Sequence, residues 1–134
     1  MIELSVARLN KRFGGNHVLK DVSFEIKGPE MIGLIGPNGA GKTTLTNVLD
    51  GAVKPNSGTV YLNGTRIDQL APFQVANIGL GRTFQITRSF RRMTVLENLY
   101  VPALALGKSH RIAEIHERAM EVLEFLTIGH LRNE

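Results

Sequence analysis

Nine residues in the first third of the chain, Gly36 to Thr44, combine small side chains, one lysine and two hydroxyl groups. They read GPNGAGKTT and match the pattern G-x-x-x-x-G-K-[ST], with Lys42 followed by Thr43. Consecutive backbone N–H groups can surround phosphate oxygens only where side chains leave the backbone accessible. The small residues that would keep it accessible are Gly36, Gly39, Ala40 and Gly41.

The two residues after the last glycine of this pattern suit the remaining chemistry of a nucleoside triphosphate. The ammonium group of Lys42 can neutralise β- and γ-phosphate oxygens, and the hydroxyl of Thr43 can ligate Mg²⁺. A helix that begins here would direct the positive end of its dipole at the same phosphates. The alternative is a glycine-rich turn with a chance lysine. The full pattern, between a predicted strand and a predicted helix, favours a nucleoside-triphosphate site.

A loop of this kind needs a strand before it and a helix after it. The apolar run Met31 to Ile35 predicts a buried strand. Thr43 to Leu49 predicts a helix that ends just before Gly51. The sequence therefore predicts the strand–loop–helix unit that phosphate binding requires.

The remainder of the first half predicts further strands. Residues 2–6 and 18–26 alternate as half-buried strands do, and Gly14-Gly15 lies between them. Residues 59–62 predict another strand, and Asn63-Gly64 predicts a tight hairpin after it. We therefore expect a β-rich first half.

The second half of the chain predicts helices. Thr94 and Glu97 have the spacing of a capping box, so a helix is expected to begin there. Further on, apolar residues recur at helical spacing and predict one buried helix face. They are Ile112, Ile115, Ala119, Val122 and Leu126.

The composition is that of a soluble or peripheral globular protein. The chain has 134 residues, is 43% hydrophobic, carries a net charge of +4 and contains no cysteine. It therefore has neither a disulfide framework nor a thiolate metal site. Nothing at its start resembles a signal peptide, and no apolar run approaches the roughly 20 residues that span a bilayer.

Part of the positive charge is concentrated in eleven residues that also contain Phe84 and Phe90. A solvated loop is one interpretation of this stretch, and a nucleic-acid surface is another. The arginines concerned are Arg82, Arg88, Arg91 and Arg92.

The phosphate loop and its neighbours resemble the ATP-binding-cassette (ABC) ATPases. LNKRFGGNHVLKDVSFEIKG, GPNGAGKTTL and PNSGTVYLNGTRI occur in the order found in that family. The resemblance implies an α/β fold, a P-loop core with an antiparallel β subdomain and the beginning of a helical subdomain. Residues 1–134 then form the N-terminal part of one ATP-binding domain. Within it, residues 1–85 form the nucleotide-binding core and residues 86–134 begin the helical subdomain.

The resemblance also implies ATP and Mg²⁺ as cofactors and gives individual residues their roles. Phe13 matches the aromatic residue that stacks on adenine. Gln85, in GLGRTFQ, matches the Q-loop glutamine that reaches Mg²⁺ and the attacking water. Lys42 and Gln85 are thus the predicted catalytic residues, and Thr43 and Gln85 the predicted metal ligands. The predicted nucleotide-binding residues are Phe13, Gly36, Pro37, Asn38, Gly39, Ala40, Gly41, Lys42, Thr43 and Thr44.

The stretch from Arg82 to Leu99, which contains RTFQ and MTVLENL, resembles the ATP-binding subunits of branched-chain amino-acid importers. This implies a transport-coupled ATPase, peripheral on the cytoplasmic face of the cell membrane. Three alternatives remain open. They are an ABC ATPase for another cargo such as urea or a lipid, an ATP-binding module without turnover, and a soluble ABC ATPase acting on nucleic acid or ribosomes.

The resemblance implies protein partners as well. Ile86 to Met93 corresponds to part of the groove that receives a helix of the membrane permease, so we interpret its arginines as docking residues rather than a nucleic-acid surface. A second ATP-binding subunit is the other direct partner implied, and a solute-binding protein would act indirectly.

Three motifs of the family are not found in this sequence. They are the LSGGQ-like signature, the Walker B run of four apolar residues before Asp-Glu, and the switch histidine. Val48-Leu49-Asp50 is too short an apolar run to supply the second. Phosphoryl transfer needs groups that position water and hold the metal. We therefore expect these residues to bind ATP without turnover, and the natural subunit to be longer.

Overall fold

The computed structural model describes residues 3–84, 89–105 and 111–134. The chain divides into two compact units, residues 1–83 and 84–134. The first contains strands β1 (Glu3–Phe13), β2 (Asn16–Lys27), β3 (Ser57–Leu62) and β4 (Thr65–Arg66), and helices α1 (Lys42–Leu49) and α2 (Pro72–Ile78). The second contains helices α3 (Val95–Ala105) and α4 (Ile112–Phe125) and a 3₁₀ turn, Gly129–Leu131.

The first unit is built on a four-stranded antiparallel sheet in the order β2-β1-β3-β4. Val6 of β1 lies opposite Phe24 of β2 and Val60 of β3, so the alternating apolar residues share one face. Leu45 and Val48 of α1 belong to the same buried cluster as Val6 and Val60. The sheet therefore supports the helix that follows the phosphate loop.

The turn between β3 and β4 confirms the hairpin prediction. Asn63 and Gly64 both have positive φ, 50° and 78°. This is the combination that a two-residue turn needs to match the strand twist. The side-chain oxygen of Asn63 also accepts a hydrogen bond from the N–H of Glu3, at 2.9 Å, which ties the turn to β1.

Strands β1 and β3 approach each other very closely at Gly58. The backbone of β1 bulges at Arg8, which has a φ of 48°, and the N–H of Arg8 donates to the hydroxyl of Ser23 at 2.8 Å. Gly58 has a φ of 93°, and a Cβ atom there would lie 2.4 Å from the carbonyl oxygen of Arg8. Only glycine fits this position.

A buried carboxylate, Asp68, anchors the segment after β4. Its oxygens accept hydrogen bonds from the N–H of Val60 at 3.1 Å, from the Nε of Arg66 at 2.9 Å and from the side-chain amide of Gln69 at 2.9 Å. Burial alone raises the pKa of Asp68, but the Arg66, Val60 and Gln69 hydrogen bonds outweigh it and lower that pKa to about 2.

This carboxylate should make stability depend on pH in acid. Because the folded-state pKa lies below the ordinary value of 3.8, the stabilisation is present above about pH 4 and is lost as the pH falls towards 2. We expect Asp68→Asn to lower the free energy of unfolding at pH 7 by about 1–3 kcal/mol. Urea unfolding at several pH values would show a shallower decline below pH 4 for the variant. Parallel declines would contradict this role of Asp68.

The prediction of a buried strand at Met31 to Ile35 is wrong for this chain. The segment forms no strand, and the side chains of Met31 and Ile35 are 101% and 93% exposed. A buried strand needs backbone partners and covered faces. Among the described residues, no strand pairs with this segment.

We expect these exposed apolar side chains to make the chain self-associate, since unpaired apolar segments add to other copies. Light scattering should show a mass above the 14.8 kDa of one chain. Replacing Ile32 and Ile35 together by glutamine should reduce that mass. Phe73→Gln is the control, because Phe73 is also largely exposed but lies on α2. A monodisperse monomer of the unaltered chain would refute the expectation.

The second unit confirms the predicted start of α3. The N–H of Thr94 donates to the Glu97 carboxylate at 2.8 Å, and the N–H of Glu97 donates to the Thr94 hydroxyl at 3.2 Å. The reciprocal pair is the predicted capping box. Within the described ranges, no helix combines the length and the apolar character that crossing a membrane requires.

The predicted apolar stripe of α4 is only partly right. Ile115, Ala119 and Leu123 are buried, four residues apart along the helix. Three other predicted members, Ile112, Val122 and Leu126, are exposed. The buried face is therefore narrower than the stripe that the sequence predicts, and it is rotated towards Leu123.

Candidate nucleotide-binding site

The predicted phosphate loop runs directly into α1, as the sequence predicts. Gly41 is the N-cap residue of this helix and has a left-handed φ of 89°. A Cβ at Gly41 would lie 3.1 Å from Leu19 and 3.2 Å from the carbonyl oxygen of Val18, both on β2. Glycine therefore permits both the backbone turn and the close approach of α1 to β2.

The lysine side chain folds back over the loop. Lys42 Nζ donates hydrogen bonds to the carbonyl oxygens of Gly36, at 2.5 Å, and Pro37, at 2.8 Å. Lys42 is half-buried, although residues 36–40 of the loop are exposed. The ammonium group is thereby held within the turn of the loop, where an incoming phosphate would meet it.

The first turn of α1 has backbone N–H groups that the helix itself does not use. Its first intrahelical hydrogen bond runs from the N–H of Leu45 to the carbonyl of Gly41, at 2.8 Å, and no side chain caps the helix. The N–H groups of Lys42, Thr43 and Thr44 therefore have no intrahelical acceptor. Together with the ammonium group and the exposed glycines, they fit a chain of phosphates.

A metal at this site would depend on the nucleotide for most of its ligands. The side chain of Thr43 is exposed in the first turn of α1. Within residues 3–84, 89–105 and 111–134, no group of three or more histidine or acidic residues could hold a metal ion. Mg²⁺ characteristically combines few protein ligands with phosphate oxygens and water, so one hydroxyl fits such an ion.

The predicted adenine-stacking residue lies at the end of β1. The side chain of Phe13 is 51% exposed, and the ammonium group of Lys11 lies 4.9 Å from the centre of its ring. Phe13 pairs with Asn16, the first residue of β2, and Val18 and Leu19 of the same strand lie where a Cβ at Gly41 would meet them. One short strand segment thus connects the predicted base platform with the phosphate loop. Gln85, the other predicted site residue, lies outside the described residues.

Sequence reasoning missed a contact at the far end of α1. Nη1 of Arg82 lies 2.5 Å from the carboxylate of Asp50 and 2.6 Å from the side-chain oxygen of Asn47. Asp50 is the C-cap residue, where the helix dipole disfavours negative charge, and α1 has no basic residue in its last turn. Arg82 supplies the missing cation, and its side chain, which is 26% exposed, is therefore held against α1 within the first unit. The signal in the sequence was Asp50 itself, an acidic residue at the end of a predicted helix that has no basic residue in its last turn.

The second unit contains a mainly apolar groove of about 420 Å³, which is lined in part by described residues of the predicted docking stretch. The side chain of Asn98 connects two residues that line the groove. Its oxygen accepts a hydrogen bond from the N–H of Phe90 at 2.8 Å, and its NH₂ group donates one to the carbonyl of Met93 at 3.1 Å. Residues 86–88 of the docking stretch lie outside the described residues. The groove is lined by Ser89, Phe90, Arg91, Met93, Val95, Asn98 and Glu134.

The sequence matches the ABC transporter family model over residues 19–134. This match covers most of the chain, and the loop, helix and antiparallel sheet agree with it. The chain belongs to the ABC transporter family, and the predicted family and α/β fold are confirmed.

Several curated relatives are similar to the chain. LivG, the high-affinity branched-chain amino acid transport ATP-binding protein of Salmonella typhimurium, is 49% identical over 98 residues, which cover 73% of this chain and 38% of LivG. A probable branched-chain amino acid transport ATP-binding protein LivG of Archaeoglobus fulgidus is 35% identical, over 96% of this chain and 54% of that protein. LolD, the lipoprotein-releasing system ATP-binding protein of Bacteroides thetaiotaomicron, is 38% identical, over 88% of this chain and 55% of LolD. The chain spans roughly half the length of these relatives or less.

Solved structures show the same fold. The ADP conformation of MJ1267, an ATP-binding cassette of an ABC transporter, superposes with a TM-score of 0.81 at 34% identity, covering 100% of this chain and 57% of that one. The ATP-binding cassette MJ0796, in a dimeric post-hydrolysis state bound to ADP and Pi, superposes with a TM-score of 0.80 at 26% identity. The match covers 98% of this chain and 60% of that one.

Proposed function

We propose that this chain is the ATP-binding part of an ABC transporter subunit that couples ATP binding and hydrolysis to solute import, with branched-chain amino acids as the cargo. The observation that carries the proposal is the conformation of the loop around Lys42, with its ammonium group held inside the turn beside the uncapped N-terminus of α1. The cargo rests on similarity to LivG at 49% identity.

In this proposal, the chain's own residues bind and orient Mg-ATP. The backbone N–H groups at the start of α1 and the ammonium group of Lys42 receive the phosphates, while Phe13 stacks on adenine. Thr43 and Gln85 hold Mg²⁺, which when bound neutralises the phosphate charge. Lys42 and Gln85 are the proposed catalytic residues. The remaining proposed nucleotide contacts are Gly36, Pro37, Asn38, Gly39, Ala40, Gly41 and Thr44.

We propose that the 134 residues bind ATP but release phosphate only at the background rate, because the sequence contains neither a Walker B carboxylate pair nor a signature motif. Hydrolysis then belongs to the complete subunit. Steady-state phosphate release by this chain tests the proposal. A rate ordinary for an ATPase, about 1 s⁻¹ or more, would contradict it.

The proposed partners are a transmembrane permease, contacted through Ile86 to Met93, and a second ATP-binding subunit, with a solute-binding protein acting indirectly. The apolar groove beside Met93 supports the permease contact, since a partner helix can bury its apolar face there. The location that follows is cytoplasmic, peripheral on the inner face of the cell membrane.

A second cargo has an observation in its favour. LolD, which belongs to a lipoprotein-releasing system, is 38% identical and covers 88% of this chain. An ABC ATPase that serves a lipid-modified cargo is therefore the competing function. The complete subunit would be co-purified with its permease, and the uptake of labelled leucine would then be measured. This uptake distinguishes the amino-acid cargo from the lipid-modified cargo.

Phe13→Ala tests the base contact. We expect ATP affinity to fall by about 1–3 kcal/mol, the usual contribution of an aromatic stacked on a base, while the affinity for inorganic triphosphate stays unchanged. Calorimetric titration with each ligand in the presence of Mg²⁺ measures both. Phe73→Ala is the control, because it removes another largely exposed phenylalanine of the first unit. Equal losses for both ligands would show that Phe13 does not bind the base.

A further inference from the structure

The ammonium group of Lys11 lies over one face of the Phe13 ring. It lies 4.9 Å from the ring centre, within the range of a cation–π contact. The ring is nevertheless half exposed. A base that stacks on Phe13 must therefore use the face that Lys11 leaves open.

Lys11 is itself held in place. Its Nζ donates a hydrogen bond to the carbonyl oxygen of Lys54, at 2.7 Å. The same loop is tied to β1 twice more, from the N–H of Asn56 to the carbonyl of Asn10 at 2.9 Å and from the N–H of Arg12 to the Asn56 side chain at 2.7 Å. Because this loop follows α1, it links the end of β1 to the helix that carries the phosphate site.

We propose that Lys11 is a positioning residue for base stacking, acting through the ring of Phe13. This rests on the proposed role of Phe13 in ATP binding. The cation draws electron density towards its own face of the ring, so the opposite face repels the π-electrons of adenine less. Because the contact with Lys11 already restricts the Phe13 ring, the ring also loses less conformational freedom when the base binds.

The test uses Lys11→Met in the 134-residue chain, with ATP and inorganic triphosphate titrated separately in the presence of Mg²⁺. We expect ATP affinity to fall about two- to fivefold, as loss of an exposed cation–π contact predicts, with no change for triphosphate. Lys11→Arg keeps a cation over the ring and should restore ATP affinity. Lys11→Gln keeps a hydrogen-bond donor for the Lys54 carbonyl without the charge and should behave as Lys11→Met.

Lys20→Met is the matched control. Lys20 is exposed on the neighbouring strand, so its replacement removes one positive charge from the same hairpin without touching the ring. It should affect ATP and triphosphate equally or not at all. Thermal unfolding of each variant establishes that it is folded.

The outcomes separate this proposal from the one on which it rests. If Phe13→Ala is selective for ATP but Lys11→Met is not, the role of Lys11 is overturned and the base site stands. An equal loss of ATP and triphosphate affinity in Lys11→Met would show a general charge effect and also overturns that role. If Phe13→Ala itself shows no selectivity for ATP, both assignments fail.

Discussion

Lys42→Ala is expected to weaken ATP binding by the chain severely while leaving it folded. A charge-assisted contact with phosphate contributes about 1.5–3 kcal/mol, equivalent to roughly ten- to a hundredfold in affinity. The fold should survive because the lysine's hydrogen bonds go to two carbonyls of an exposed loop and not to the core. Isothermal titration with Mg-ATP, together with a circular-dichroism melt, measures both effects.

Lys20→Ala is the control for this variant, since it removes the same charge from an exposed position on β2. Its ATP affinity should remain close to that of the unaltered chain. A folded Lys42→Ala chain that bound ATP as tightly as the control would refute the phosphate site, and with it the proposed function.

Gly58→Ala is expected to be the most damaging single change to the stability of the first unit. The new Cβ would lie 2.4 Å from the carbonyl oxygen of Arg8 and 2.6 Å from Leu9 Cα, and the backbone φ of 93° is unfavourable for any other residue. Strands β1 and β3 would have to separate at the bulge, between the Ala7–Thr59 and Asn10–Ser57 pairs. We expect a loss of more than about 3 kcal/mol, of the kind that overpacking and backbone strain produce together.

Gly64→Ala separates the effect of strain from that of the clash. Gly64 also has a positive φ, 78°, but a Cβ there would meet nothing within 4 Å. We expect a cost of about 1 kcal/mol for placing a side chain in the left-handed region. Urea unfolding of the two variants measures the difference. Similar losses at both positions would show that the contact with Arg8 does not limit the packing of the sheet.

Local chemistry explains why much of the fold could be predicted. The Asn63-Gly64 hairpin and the Thr94–Glu97 capping box are contained in a few neighbouring residues, and both occur as expected. The loop before Lys42 is likewise local, because glycines with positive φ and a following helix determine its course. The placement of that loop against β2 involves residues far apart in the sequence, so its contact with Val18 was not predictable.

The failures of prediction arise where the answer depends on distant parts of the protein. The apolar residues Met31 to Ile35 indicate burial, but burial requires a covering strand, and the described residues provide none. The Arg82–Asp50 contact joins residues 32 positions apart. The face of α4 that is buried depends on where α3 lies, so helical periodicity alone placed Val122 in the core instead of Leu123.

The contact between Arg82 and Asp50 has a consequence for how binding energy is shared along the chain. Helix α1 has eight residues, about 12 Å in length, so its two ends cannot move independently. Suppose that a ligand binds the N-terminal end of α1 more tightly when the Arg82–Asp50 contact is intact. Binding free energies are reciprocal, so the bound ligand then stabilises that contact by the same amount. Arg82 lies four residues before Ile86, where the proposed permease segment begins. If the proposed phosphate and permease contacts both form, α1 would connect a phosphate at its N-terminus with Arg82, which precedes the proposed permease segment in the sequence.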